Sequence, residues 1–192
     1  MAPIYQLARE HQTARPGATL RPRLIDMVSY REASVDDDAA RALLAEYFSS
    51  RAESFPATMG QYRATFPAAG DFGPPRGVFL IVEGEDLAGE PADVGCGGTR
   101  LLDHSAGVTR FEVKHLWLQP HVRGRGLGRQ LLEELEVRAR AFGASEVVLD
   151  TNEAQQAASG LYRSSGYVEI PPYNGNANAT HWFAKNLTTE LE

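Results

Sequence analysis

The chain has 192 residues and a formal net charge of −6, and its composition, 43% hydrophobic and 23% charged, is that of an ordinary globular domain. A net acidic chain argues against nucleic-acid partners, and the single cysteine, Cys96, excludes an intramolecular disulfide and indicates a reducing cytoplasm. No apolar run approaches the ~20 residues that cross a bilayer, so no membrane association is expected.

The patterning along the chain predicts one folded domain over 27–192, preceded by a flexible arm over 1–26 that is polar and interrupted by Pro and Arg. The predicted elements, in chain order, are a strand at 27–31, helices at 34–50 and 58–66, strands at 78–83, 93–102 and 110–118, a helix at 127–142, a strand at 146–150, a helix at 154–164, and strands at 167–170 and 181–187. This order predicts an α/β (α+β) fold with a mixed sheet of six to seven strands flanked by helices.

A glycine-rich turn joins the strand that ends at Leu118 to the next predicted helix. Gly124, Gly126 and Gly128 follow Arg123 at alternate positions. Backbone N–H groups at the start of a helix carry partial positive charge, and glycine allows the main chain to approach an anion closely. The turn is therefore expected to bind a phosphate or pyrophosphate group.

The spacing of the glycines separates the known types of phosphate-binding turn. A P-loop requires Lys and then Ser or Thr after its last glycine, whereas Arg129 and Gln130 stand there. A dinucleotide-binding turn requires Gly-x-Gly-x-x-Gly, and the three glycines here are one residue short of it. The spacing that fits is Arg-x-x-Gly-x-Gly, formed by Arg123, Gly126 and Gly128.

This spacing resembles the acyl-CoA pyrophosphate loop of the GCN5-related N-acetyltransferase (GNAT) superfamily. The preceding run Leu116-Trp117-Leu118-Gln119-Pro120 is similar to the family's apolar strand that ends before a proline. The run Ala158-Ser159-Gly160-Leu161-Tyr162-Arg163-Ser164-Ser165-Gly166-Tyr167 resembles the family's Ala-x-x-Leu-Tyr-x-x-x-Gly-Phe signature, with Tyr167 in place of Phe. The order of elements over 27–187 also agrees, so the resemblance implies a GNAT-like single domain with splayed central strands.

The resemblance implies acetyl-CoA as co-substrate and no metal. In the family, the strand before the loop leaves main-chain groups free for the pantetheine arm, with the N–H of Leu116 facing the thioester carbonyl. The residues expected to contact the cofactor are Leu116, Trp117, Leu118, Arg123, Gly124, Arg125, Gly126, Leu127, Gly128, the amide of Arg129, and Asn152. For Asn152, a turn or helix-cap role is the alternative.

Two residues are candidates for catalysis by the same resemblance. Tyr162 stands where family members place a tyrosine hydroxyl near the CoA sulfur, as a general acid, and a packed core aromatic is its alternative. Glu112 occupies the strand position where some family members carry a glutamate base, and a structural ion pair with Lys114 or Arg110 is its alternative. Glu112 comes four positions before Leu116, which predicts that both lie on one face of the strand.

The sequence therefore predicts an N-acetyltransferase that moves an acetyl group from acetyl-CoA directly to a primary amine in a ternary complex. The acceptor is a small molecule or a peptide or protein N-terminus, and the net acidity of the chain favours a cationic amine. A non-catalytic acyl-CoA-binding sensor or scaffold is the alternative function. A homodimer is also expected, and no spacing of His, Asp and Glu suggests a metal site.

Overall fold

The computed structural model describes residues 28–105 and 107–188. The predicted arm over 1–26 lies outside these residues. The described strands are β1 (Ser29–Glu32), β2 (Gly77–Glu85), β3 (Pro91–Ser105), β4 (Val108–Leu118), β5 (Glu146–Thr151), β6 (Val168–Ile170) and β7 (His181–Asn186), and the described α-helices are α1 (Asp38–Glu53), α2 (Leu127–Ala141) and α3 (Gln156–Ser164).

The strands form one mixed sheet in the order β1-β2-β3-β4-β5-β7-β6. The strands β1 to β4 are an antiparallel meander, β4 pairs with β5 in parallel, and β5, β7 and β6 are again antiparallel. A parallel pair needs a crossover connection, which here contains α2. The mixed sheet flanked by helices that the sequence predicted is confirmed.

The core lies on both faces of the sheet. The strand β2 is an uninterrupted apolar run, and its alternate side chains contribute to two clusters, as expected for a strand that is covered on both sides. Phe79 and Ile81 pack with Leu44 and other residues of α1, on what we call the α1 face. Leu80 packs on the opposite, α2 face with Leu131 and other residues of α2 and α3.

One predicted helix is wrong. Instead of a helix at 58–66, the chain forms a short 3-10 turn, Ala57–Met59, and then runs without regular structure to the next 3-10 turn, Ala69–Asp71. Gly60 follows the first turn with φ of 87°, a conformation that ends a right-handed helix. The segment 60–68 lies over the sheet and, as shown below, is tied there by a side chain from another loop.

The central strands separate within the sheet. The parallel ladder joins Arg110–Glu112 of β4 to Glu146–Val148 of β5, and over the described residues it extends no further. Beyond it, 113–118 of β4 lack a strand partner on that side, so their backbone polar groups face the gap rather than a neighbouring strand. The splayed central strands that the resemblance implied are therefore present.

Candidate active site

A cleft of about 750 Å³ opens where β4 and β5 separate. Gly124 and Gly128 line one end of it, which we call the turn end, and Glu112 and Asp150 line the other, which we call the network end. Tyr162 also lines the cleft. The structure thus brings the glycine turn and both candidate catalytic residues to one cavity.

The turn end is built from backbone. Gly124 has φ of 75°, and Gly126, the residue that caps α2, has φ of 88°, so each adopts a conformation that favours glycine. Within the described residues, the N–H groups from Gly124 to Gly128 donate to no protein acceptor. The N–H of Arg129 differs from the expectation, because it donates to the carbonyl of Gly126 at 3.0 Å.

The side chains of Arg123, Arg125 and Arg129 make different contacts. The Nε of Arg123 donates to the carbonyl oxygen of Leu118 at 2.7 Å, and its guanidinium lies 4.3 Å from the centre of the Trp117 ring. Burial lowers the pKa of Arg123. Arg129 binds Ser164 and its neighbour at the end of α3 and so joins two helices. Arg125 is exposed, and no described residue accepts a hydrogen bond from it.

A bulge in β4 decides which side chains face the cleft. The register with β3 shifts between Cys96 and Gly98, opposite His115, which has φ of 56°. Because of this extra residue, His115 packs on the α1 face against Phe48, at 5.6 Å between ring centres, while Leu116 packs on the α2 face. The prediction that Glu112 shares a face with Leu116 is wrong, since Glu112 lies on the α1 face with His115.

Tyr162 is held by packing at the ring and is free at the hydroxyl. Its ring lies 6.0 Å from Tyr167 and 5.9 Å from Phe183, between centres. The hydroxyl makes no hydrogen bond with the described residues. Burial raises the pKa of Tyr162 to about 12, so the phenol keeps its proton at neutral pH. Such a group can donate a proton, but it does not act as a base under these conditions.

Glu112 is fully buried, and both of its oxygens are engaged. Arg100 donates to Oε2 through Nε at 3.0 Å and Nη2 at 2.8 Å. Oε1 accepts from the hydroxyl of Tyr173 at 2.9 Å and from Asn174 at 3.2 Å, and Lys114 lies 3.0 Å from it. Five donors occupy the lone pairs that a carboxylate offers. This geometry favours the structural role for Glu112, with Lys114 rather than Arg110 as the ion-pair partner.

Comparison of the sequence with protein-family models identifies the family to which this domain belongs. The sequence model of the acetyltransferase (GNAT) family matches residues 37–167, which include the turn, the bulge and Tyr162. The chain belongs to the GNAT family. A curated relative, the IAA acetyltransferase of Azospirillum brasilense, is 40% identical over 80 residues, which are 42% of this chain and 50% of the relative. The chain spans about half the length of the curated relatives it matches.

Solved GNAT structures have the same fold. An acetyltransferase of the GNAT family from Staphylococcus aureus matches with a TM-score of 0.65 at 16% identity, over 84% of this chain and 99% of that chain. A GNAT family acetyltransferase from Elizabethkingia anophelis, solved with acetyl-CoA bound, matches with a TM-score of 0.54 at 15% identity, over 84% and 99% of the two chains. At these identities the likeness concerns the fold alone.

In this GNAT domain, the network end continues from Glu112 to Asp150, a feature that the sequence analysis missed. Lys114 Nζ lies 2.9 Å from Asp150, and the side chains of Asn174 and Asn176 donate to Asp150 at 2.8 and 3.1 Å. Burial alone raises the pKa of a carboxyl, but Lys114 and these hydrogen bonds outweigh it and leave the pKa of Asp150 lowered. The carboxylate is therefore charged at neutral pH.

Asn178 follows Asn174 and Asn176 at the same two-residue spacing, and it holds one wall of the GNAT cleft in place. Its Oδ1 accepts from the backbone N–H of Arg63 at 3.1 Å, and its Nδ2 donates to the carbonyl of Arg63 at 2.8 Å. This pair of bonds is what ties the segment 60–68 over the sheet. The alternation of Asn174, Asn176 and Asn178 in the sequence was the available signal for these contacts.

Asn152 lies apart from the main cleft of the domain. It is buried, its Oδ1 accepts from the N–H of Ala154 at 3.0 Å, and its Nδ2 donates to the carbonyl of Asn178 at 3.0 Å. The geometry favours the turn role. Over the described residues, no helix has the length and apolarity to cross a membrane, and no three side chains of metal-ligand type cluster together.

Proposed function

We propose that this protein is an N-acetyltransferase that transfers the acetyl group of acetyl-CoA directly to a primary amine. One observation carries the proposal: a single cleft connects the unpaired backbone N–H groups of the glycine turn with the free hydroxyl of Tyr162. Binding both substrates side by side in one cavity makes a covalent enzyme intermediate unnecessary. Membership of the GNAT family supports the same reaction.

The turn end suits the pyrophosphate of the cofactor. The N–H groups from Gly124 to Gly128, which have no acceptor among the described residues, lie at the start of α2, where an anion gains from both the donors and the helix dipole. Arg125 adds a free positive charge. The main chain of Leu116 to Leu118 lies on the part of β4 that has no strand partner on the β5 side, where a pantetheine arm can pair with it.

In the proposed mechanism, two protein groups assist acetyl transfer: the hydroxyl of Tyr162 and the N–H of Leu116. A primary amine with a pKa near ~10 first loses a proton to water, because Glu112 has no free lone pair to accept it. The amine nitrogen attacks the thioester carbon, the new C–N bond forms, and the C–S bond breaks as Tyr162 donates its proton to the leaving thiolate. The nitrogen then gives up its second proton, which returns through water to the Tyr162 phenolate and restores the phenol. In this proposal the N–H of Leu116 stabilises the oxyanion, a contribution of ~3 kcal/mol for one donor.

A thiol-release assay with acetyl-CoA and a panel of primary amines tests the proposal. We expect free CoA to appear only when an amine is present, and we expect acetyl-CoA, but neither ATP nor NAD, to raise the melting temperature. Binding of acetyl-CoA without thiol release from any amine would favour the sensor function. Absence of both effects would overturn the proposal altogether.

A second part of the proposed function concerns the assembly of the domain. We propose that 27–192 form one cytoplasmic domain that assembles as a homodimer. The exposed edge strand β6, where Val168 is 64% exposed, supports an assembly through the sheet edge. Light scattering at several protein concentrations tests the dimer, and a constant monomer mass would contradict it.

A further inference from the structure

The charge of the cleft differs in sign from the charge of the chain. The whole chain carries a formal charge of −6. The cleft, in contrast, is lined by five cationic side chains and three carboxylates. These are Arg51, Arg63, Arg100, Lys114 and Arg123 against Asp71, Glu112 and Asp150. The overall acidity of the chain therefore gives no support to a cationic acceptor, and the local balance favours an anionic group.

Each of the three carboxylates has a cationic partner within the protein, although two cations, Arg100 and Lys114, serve all three. Asp71 pairs with Arg100 at 3.1 Å, Glu112 pairs with Arg100 at 2.8 Å, and Asp150 pairs with Lys114 at 2.9 Å. These ion pairs leave no carboxylate in the cleft to bind the ammonium groups of a polycation. The network keeps a formal charge of −1, and the three other cations that line the cleft, Arg51, Arg63 and Arg123, make the cleft positive as a whole.

Arg51 lines the same cleft as Tyr162. Among the described residues, no carboxylate lies within ion-pair distance of it. Its guanidinium lies 5.8 Å from the centre of the Tyr47 ring. Burial raises the pKa of Tyr162 and the charge of Arg51 partly offsets the rise, so Arg51 lies within electrostatic range of that hydroxyl.

An aromatic wall stands beside Arg51. Phe48 has ring-centre distances of 4.9 Å to Phe66 and 6.5 Å to Tyr62, and all three rings line the cleft. Phe66 is 53% exposed at the rim, so part of its ring is available to a ligand in the cleft. His115 completes the wall as a neutral ring, because burial lowers its pKa to about 3.

We infer that the acceptor is an amine that also bears a carboxylate and an aromatic or bulky apolar group, as an aromatic amino acid does. Arg51 pairs with the carboxylate, and the apolar group packs on Phe48, Tyr62 and Phe66. In an α-amino acid a single carbon separates the carboxylate from the amine, so a carboxylate held at Arg51 keeps the nucleophile close to Tyr162. This inference rests on the proposed function.

The test compares acceptors that differ only in the carboxylate. Thiol release from acetyl-CoA is measured with L-tryptophan, with tryptamine and with spermidine, for the native protein and for Arg51→Gln. We expect kcat/KM for L-tryptophan to exceed that for tryptamine by about tenfold to a hundredfold, as a charged hydrogen bond provides. In Arg51→Gln this ratio should collapse towards one, and in Arg51→Lys it should partly persist.

Comparison of this ratio between the native protein and a variant cancels the intrinsic reactivity of each amine, because both proteins are measured with the same two acceptors. Arg41→Gln is the matched control on α1, since Arg41 pairs with Asp36 outside the cleft, and it should leave the ratio unchanged. Equal or better use of tryptamine or spermidine overturns the inference while leaving the acetyltransferase intact. A ratio that survives Arg51→Gln also overturns it. No thiol release from any acceptor, with no effect of acetyl-CoA on melting, rejects the acetyltransferase itself.

Discussion

At the turn end of the cleft the groups that face the cavity are backbone N–H groups between Gly124 and Gly128, whereas at the network end they are side chains from several elements. The turn is contiguous in sequence, and its spacing alone limits the ligands it suits. The network joins Arg100 of β3, Glu112 of β4 and Asp150 of β5 with a loop that precedes β7. A site made from the backbone of one contiguous turn can therefore be predicted from the sequence, whereas a site made from side chains of several distant elements cannot.

The same contrast predicts how the two ends respond to substitution. At the turn end a side chain occupies space that the ligand needs, so the loss falls on cofactor affinity. At the network end a substitution leaves buried charges without partners, so the loss falls first on stability. The following four substitutions, from the largest expected effect to the smallest, test this division.

Gly126→Glu should abolish binding of acetyl-CoA, lowering its affinity by at least about a hundredfold, because a carboxylate would replace the cradle for the pyrophosphate. Isothermal titration calorimetry measures the loss. Gly143→Glu is the matched control, since Gly143 at the other end of α2 has φ of 89° and is equally open around its Cα. Equal losses of affinity in the two variants would show that backbone strain, rather than the cradle, is responsible.

Tyr162→Phe should lower kcat by about a hundredfold and leave the affinity for acetyl-CoA unchanged, as loss of a general acid does. Tyr167→Phe serves as the control because Tyr167 is buried beside Tyr162 but does not line the cleft. Since the pKa of Tyr162 is raised to about 12, the native rate should not fall between pH 8 and pH 10 through loss of this proton. Full kcat in Tyr162→Phe at every pH would remove Tyr162 from the mechanism.

Glu112→Gln should lower the free energy of unfolding by about 3 kcal/mol, because Arg100 and Lys114 lose a buried counter-charge. For a chain of this size the melting temperature should fall by roughly 6–12 °C. The protein that remains folded should keep most of its kcat. Glu134→Gln, at a surface pair on α2, is the control and should change the melting temperature little. An unchanged melting temperature with a hundredfold loss of kcat would restore Glu112 as the base.

Asn178→Ala should have the smallest effect, about 1–2 kcal/mol of stability, because it removes two hydrogen bonds to the backbone of Arg63. The KM for the acceptor should rise a few-fold as the segment 60–68 loosens, while the affinity for acetyl-CoA stays the same. Asn186→Ala, near the end of β7, is the control. Parallel changes for both substrates would show that the segment affects binding of acetyl-CoA as well as binding of the acceptor.

Much of the fold was predictable because strands and helices have local periods. The helix α2 follows its apolar stripe, and the strands β2 to β5 follow their apolar runs. The predicted helix at 58–66 failed because Gly60 ends the turn and the chain is then held by Asn178, a contact 115 residues away. Local pattern carries no information about such a contact.

The site was predictable where it depends on spacing and not where it depends on register. The structure places the turn and Tyr162 at one cleft, but a two-residue period gave the wrong face for Leu116 because a bulge adds one residue at His115. The residue types in β4 do not predict that bulge. The asparagines from Asn174 to Asn178 were visible as an alternation, but their partners become apparent only when the loop is placed over the sheet.

The short ladder between β4 and β5 has a consequence for turnover of the protein in the cell. Two halves of the sheet meet through three residue pairs, so a molecule that pairs with β4 in the gap adds hydrogen bonds where the parallel ladder ends. A ligand present at a hundred times its Kd adds about 2.7 kcal/mol to the free energy of unfolding. With acetyl-CoA as the proposed ligand, we expect the resistance of the protein to proteolysis to rise with the concentration of the cofactor.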